Sequence, residues 1–132
     1  MKKLLAIALI LATLLCLAAC GSTGYDAKTI EENLEKAGYD VNSTNDADDI
    51  AEEFMAGTID LKVLPTALIE ADKDESFIYI AMFNTKADAK IFLEAWNSLM
   101  EGVSSKDSDE LTLKGNCVYS GDEASAKIAF SK

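Results

Sequence analysis

The chain has no histidine and no arginine among its 132 residues. Without histidine it lacks the side chain that most often serves as general base and metal ligand near neutral pH. Without arginine it lacks the planar fork that grips carboxylate or phosphate through two parallel hydrogen bonds. Glycine-rich phosphate loops and paired-cysteine metal spacings are missing as well. Carboxylate pairs such as Asp72 with Asp74 and Asp107 with Asp109 fall in polar stretches, where turn chemistry accounts for them. No catalytic residue, metal or cofactor is assigned on this basis. An enzyme here would have to be a hydrolase built on carboxylates.

Positive charge is scarce too, with 12 basic residues against 23 acidic ones. Nucleic acid is therefore not an expected partner, because its affinity is built on phosphate neutralisation. Such acidity is the ordinary signature of a soluble surface. Proline occurs once, at Pro65, and cysteine three times, at Cys16, Cys20 and Cys117.

Lys2 and Lys3 precede an apolar run over residues 4–17, interrupted only by Thr13, which small residues Ala18 and Ala19 close before Cys20. A cationic start, an apolar centre and a small-residue end are the parts of an export signal. A permanent transmembrane helix needs roughly 20 apolar residues, and this run stops short. Cleavage is the expectation. The tetrapeptide Leu17-Ala18-Ala19-Cys20 resembles the lipobox of bacterial lipoproteins, where a large apolar residue and two small ones precede the acceptor cysteine. The resemblance implies cleavage between Ala19 and Cys20, a diacylglyceryl group on the Cys20 sulfur, and a lipid anchor to the membrane. Two or more acyl chains, at about 0.8 kcal/mol per buried methylene, hold a protein stably. It also implies the extracytoplasmic face of the cell membrane. Gly21 stands where an aspartate commonly retains such proteins at the inner membrane, so a host with two membranes would place this one at the outer.

Removing residues 1–19 leaves 113 residues, with ten lysines against 23 acids and a net charge of −13. That length suits a single domain over residues 27–132. Residues 20–26 form the lipidated cysteine and a polar linker. The six residues after Cys20 span at most roughly 20 Å, which keeps the domain close to the membrane. With Cys16 removed and Cys20 lipidated, Cys117 stands alone, and the fold relies on its apolar core and no internal disulfide.

Periodicity predicts a helix over residues 27–37, with Asp26 as N-cap, Ala27, Ile30, Leu34 and Ala37 inward, and Gly38 as the stop. A strand follows over 39–43. Asn45 or Asp46 caps a helix over 47–56 that turns Ala47, Ile50, Ala51 and Phe54 inward and ends at Gly57. Oxygen side chains from Asn42 to Glu53 fall at several positions of a calcium-loop spacing. However, Ala47 stands where the turn needs glycine and Asp49 where an apolar anchor is usual, so no metal is assigned there. Ile59, Leu61 and Val63 alternate, and a strand follows Pro65 over 66–71.

The segment Phe77-Ile78-Tyr79-Ile80-Ala81-Met82-Phe83 has no polar alternation, which predicts a central strand over 76–83 buried on both faces. Thr85 and Asp88 resemble a capping box opening a helix to about residue 100, with Ala89, Phe92, Leu93, Trp96, Leu99 and Met100 on one side. A hydrophilic loop over 103–109 precedes a strand over 111–119. Ser120 with Glu123 offers a capping box for a last helix to residue 130. Cys117, with no electropositive neighbour in sequence, reads as a small strand residue and not as a nucleophile.

The order from residue 39 to 119 is βαββαβ, which predicts an α+β fold with a ferredoxin-like core and an additional helix at each end. Its two core helices would cover one sheet face. The apolar residues on both sides of the central strand then require a second cover, from the terminal helices or a partner chain. For function, the leading expectation is a lipid-anchored accessory module acting through a membrane-associated protein partner or a homodimer. The alternative is a lipoprotein binding a small solute or cation near Tyr39, Tyr79 and Trp96, although a tryptophan within an apolar stripe is most often core.

Overall fold

The computed structural model describes residues 24–54, 63–101 and 110–131. The signal segment, Cys20, the Ile59–Leu61 alternation, the stops at Gly57 and Gly102 and the loop expected over 103–109 lie outside these residues.

Local chemistry sets the helix starts. Asp26 caps α1 (Ala27–Lys36), its carboxylate accepting from the Thr29 amide at 3.3 Å, and Gly38 ends the turn at φ +90°. Asp46 caps the short α2 (Ala47–Glu53) by accepting from the amides of Asp48 and Asp49. Thr85 caps α3 (Lys86–Met100) by accepting from the Asp88 amide at 3.1 Å. The last helix, α4 (Glu123–Ala129), is capped by Asp122 and not by Ser120, which belongs to the preceding strand.

Five strands form one sheet: β1 (Asp40–Thr44), β2 (Ala67–Lys73), β3 (Ser76–Met82), β4 (Thr112–Lys114) and β5 (Cys117–Gly121). Their order is β1-β2-β3-β5-β4, with every neighbouring pair antiparallel. The fold is thus mixed α+β, and β3 is central as its composition requires. The expected ferredoxin-like order is not adopted. That arrangement sets the first strand beside the third, whereas β1 lies at the edge and pairs with β2. The physical reason is composition: Asp40, Asn42 and Ser43 are exposed, and a central position would bury them without partners. The expected single strand over 111–119 is in fact a hairpin. Gly115 adopts φ +56° and, with Asn116, turns β4 back onto β5.

Both faces of the sheet are covered by helices. On one face Ile69, Ile78, Ile80, Met82 and Cys117 pack against Ile30 and Leu34 of α1 and against Ala126, Ala129 and Phe130 at α4. On the other, Leu68, Ala81 and Val118 meet Ile50 of α2 and Ala89 and Phe92 of α3. The second cover is therefore the pair of terminal helices. Each fully buried aliphatic side chain of β3 contributes about 1.5–3 kcal/mol. The helix stripes hold in part: Ile30 and Leu34 are buried, but Ala47 is exposed and Leu99 is 41% exposed.

The junction between β5 and α4 is the tightest point. Gly121 has φ +149°, and a Cβ there would lie 2.4 Å from the Phe77 carbonyl oxygen and 2.7 Å from Ile78 Cα. The Asp122 carboxylate accepts from the amides of Phe77 at 2.9 Å and Ser125 at 2.8 Å, and from the Ser125 hydroxyl at 2.7 Å. Gly121→Ala is expected to lower unfolding stability by at least about 2 kcal/mol, because the Phe77 and Ile78 backbone atoms that the new Cβ would meet cannot move aside cheaply. Chemical denaturation checks this, and an unchanged midpoint would contradict it. Partial burial pushes the Asp122 carboxyl up, but the three donors pull it further down, so it sits below the ordinary aspartate value. Its stabilising effect is then complete above that ordinary value, about pH 4, and is lost as pH falls through the depressed one. Asp122→Asn should flatten the acid limb of the stability curve below about pH 4.

Candidate functional site

The helices α2 and α3 do not fill the space above their sheet face. Tyr79 and Ala81 of β3 lie opposite Ser120 and Val118 of β5, so the sheet pairs a large with a small side chain at Tyr79–Ser120 below the aromatic side of α3. Phe92, Trp96 and Met100 recur at spacings of four along α3 and form the roof. The result is a cavity of about 290 Å³, to which Phe54, Phe77 and Leu111 also contribute. Its lining is almost wholly apolar. Phe54, at the end of α2, meets Phe92 edge-on with centroids 5.4 Å apart, and Phe92 stacks on Trp96 at 6.1 Å. This volume lies at the lower end of what small-molecule pockets occupy.

Tyr79 borders a second hollow, of about 160 Å³, beside the first. There it meets Asn42 and Thr44 of β1, Glu70 of β2 and Glu53 at the end of α2. Glu70 is the direct cross-strand partner of Tyr79, and Asn42 is that of Glu70. Burial, then the charges of Glu53 and Glu70, push the Tyr79 phenol up to about 12. It therefore stays neutral at physiological pH and offers a hydroxyl that both donates and accepts.

The three residues singled out in the sequence separate. Tyr79 and Trp96 share the cavity, but Tyr39 lies on the opposite face of the sheet in the core below α1 and α4. Its hydroxyl is buried and bonded to Ser125 Oγ at 2.8 Å, and Lys73 Nζ sits 5.9 Å from its ring. Tyr39 is a structural residue because every polar atom it has is already engaged inside the fold. Sequence reasoning missed Phe54, Glu53 and Glu70 as site residues. The aromatic spacing of 92 and 96 was visible, but the approach of Glu53 to Tyr79 depends on contacts far apart in the chain.

The acidic stretch from Asn42 to Glu53 is not a loop. Asn42 and Thr44 belong to β1, the Asp46 carboxylate is engaged at the α2 N-terminus, and Asp49 Oδ2 accepts from Thr44 Oγ1 at 3.2 Å. An extended strand followed by a helix cannot wrap one ion. Among the described residues no group of three or more His, Cys, Asp or Glu side chains could hold a metal. Asp74 lies in the turn to β3 as read, whereas Asp72 belongs to β2 and pairs with Asp40 and Phe77; both are exposed.

Cys117 is fully buried below α1 and α4, and burial pushes its thiol up to about 12. It is expected to resist iodoacetamide at pH 8 in the native protein and to alkylate on denaturation, as peptide mapping would record. Rapid native labelling of Cys117 would contradict that placement.

Compared with known proteins, the chain matches no family model, no curated protein and no solved structure. Among the described residues no helix is long and apolar enough to cross a membrane.

Proposed function

We propose that this chain is a lipid-anchored extracytoplasmic lipoprotein of a bacterial envelope whose domain binds a small, largely apolar solute. The anchor rests on the Leu17-Ala18-Ala19-Cys20 lipobox and the apolar run before it. The binding reading rests on one observation, the cavity of about 290 Å³ under the aromatic side of α3. An apolar hollow of that size, left between otherwise close-packed layers, forfeits contacts that an occupant would restore. Of the two functional classes expected from the sequence, this favours solute binding over an accessory role through protein contacts. The second reading keeps one specific support, the exposed Ile91 and Leu99 on α3, which a membrane-associated partner or a second copy would cover.

The chain has one tryptophan, and it lies on the cavity wall, so its emission reports occupancy directly. Titrating 4-phenylbutanol into the full-length lipidated protein in phosphatidylcholine nanodiscs should shift Trp96 fluorescence saturably. Ser120→Leu, which places a larger side chain on the cavity floor, should weaken that binding at least about tenfold. Trp96 emission that no apolar probe moves would overturn the reading. Cross-linking of Ile91 and Leu99 to a stoichiometric membrane protein would favour the interaction module. Release of the protein from membranes by Cys20→Ser tests the anchor.

A further inference from the structure

We propose that the occupant of the cavity is an amphipathic organic cation, with its hydrocarbon part under α3 and its ammonium group beside Glu53, Glu70 and the Tyr79 hydroxyl. This deepens the solute-binding reading and rests on it. The two hollows share Tyr79, so an apolar body in the first has a polar end facing the second. Glu53 and Glu70 both border that second hollow, and among the described residues neither makes an ion pair. The ion pair that is present, Lys127 with Glu123, belongs to α4 on the opposite face.

Charge decides between ligand classes. A carboxylate or phosphate would meet two carboxylates on a chain with a net charge of −11 and no arginine to grip it. A wholly apolar molecule would fill the first hollow but bring no donor to the oxygens of the second. Asn42, Ser43 and Thr44 border the second hollow as well, but among the described residues no group of three or more His, Cys, Asp or Glu side chains could hold a bare metal ion. A primary ammonium on a short hydrocarbon brings three donors to this group of acceptors and buries its carbon atoms beside Phe92 and Trp96. Burial is the larger cause of the raised Tyr79 phenol, and the smaller one, the charges of Glu53 and Glu70, is a field that also attracts a cation.

The test compares 4-phenylbutylamine, protonated at pH 7, with the isosteric 4-phenylbutanol, read by Trp96 emission of the full-length lipidated protein in phosphatidylcholine nanodiscs. The ammonium compound is expected to bind about tenfold more tightly than the alcohol. In the Glu53→Gln, Glu70→Gln double variant the advantage of the amine over the alcohol, about tenfold, should disappear. Equal binding of the two compounds to the wild type, or an amine preference that survives the double variant, overturns the cation assignment and leaves the cavity reading standing. Failure of both compounds to move Trp96 emission overturns the two together. Should the double variant unfold, ionic strength decides: 0.5 M salt should weaken the amine alone, and an amine affinity independent of salt overturns the assignment.

Discussion

The burial of β3 on both faces is the constraint on which the structure depends. Ile78, Ile80 and Met82 point one way and Ala81 the other, all at 4% exposure or less. On the Ala81 side, however, Tyr79 is half-buried and Phe77 is 37% exposed, so burial on both faces holds only toward the end of the strand. A strand of this kind is stable only with strands on both edges and helices on both sides. β2 and β5 supply the edges, and α1 with α4 and α2 with α3 supply the sides. The hydrophilic β1 sits at one edge and the three-residue β4 at the other.

The two sides are finished differently. Below α1 and α4, the small residues Ala71, Ala126 and Ala129 let helix and sheet approach closely, and the one buried phenol is matched to a buried hydroxyl. Asn116 closes the end of this layer: its side chain accepts from the Tyr25 amide and donates to the carbonyls of Tyr25 and Phe83. Such a satisfied network costs little to bury and locks the N-terminal segment to the β4–β5 turn. Above the other face, Tyr79, Ala81, Val118 and Ser120 of the sheet and Phe92, Trp96 and Met100 of α3 leave a cavity between them. One sheet therefore carries a closely packed side and a side with a cavity. With a short linker to Cys20, the proposed lipid anchor would hold the start of α1 within roughly 20 Å of the membrane surface.

Much of the fold was legible from local signals. Asp26, Asp46 and Thr85 cap helices where the sequence placed them, and the apolar continuity of residues 77–83 marked the central strand and its need for two covers. The hairpin at Gly115-Asn116 was a readable turn that the apolar residues on either side concealed. Asp122 displaced Ser120 as the α4 cap because β5 runs on to pair Ser120 with Tyr79. Strand order was the larger loss: βαββαβ is compatible with more than one sheet, and the polarity of β1 decided for an edge.

The same division holds at the site. Sequence alone determined which side of α3 is aromatic, that Cys117 has no activating neighbour in the chain, and that no histidine or arginine is available for chemistry. These are properties of composition and of spacing within one element. Only the tertiary structure decided that Trp96 and Tyr79 share a cavity while Tyr39 does not, and that Glu53 and Glu70 converge on Tyr79. Those outcomes depend on which face each strand turns to which helix, and that is settled by packing between residues distant in the chain.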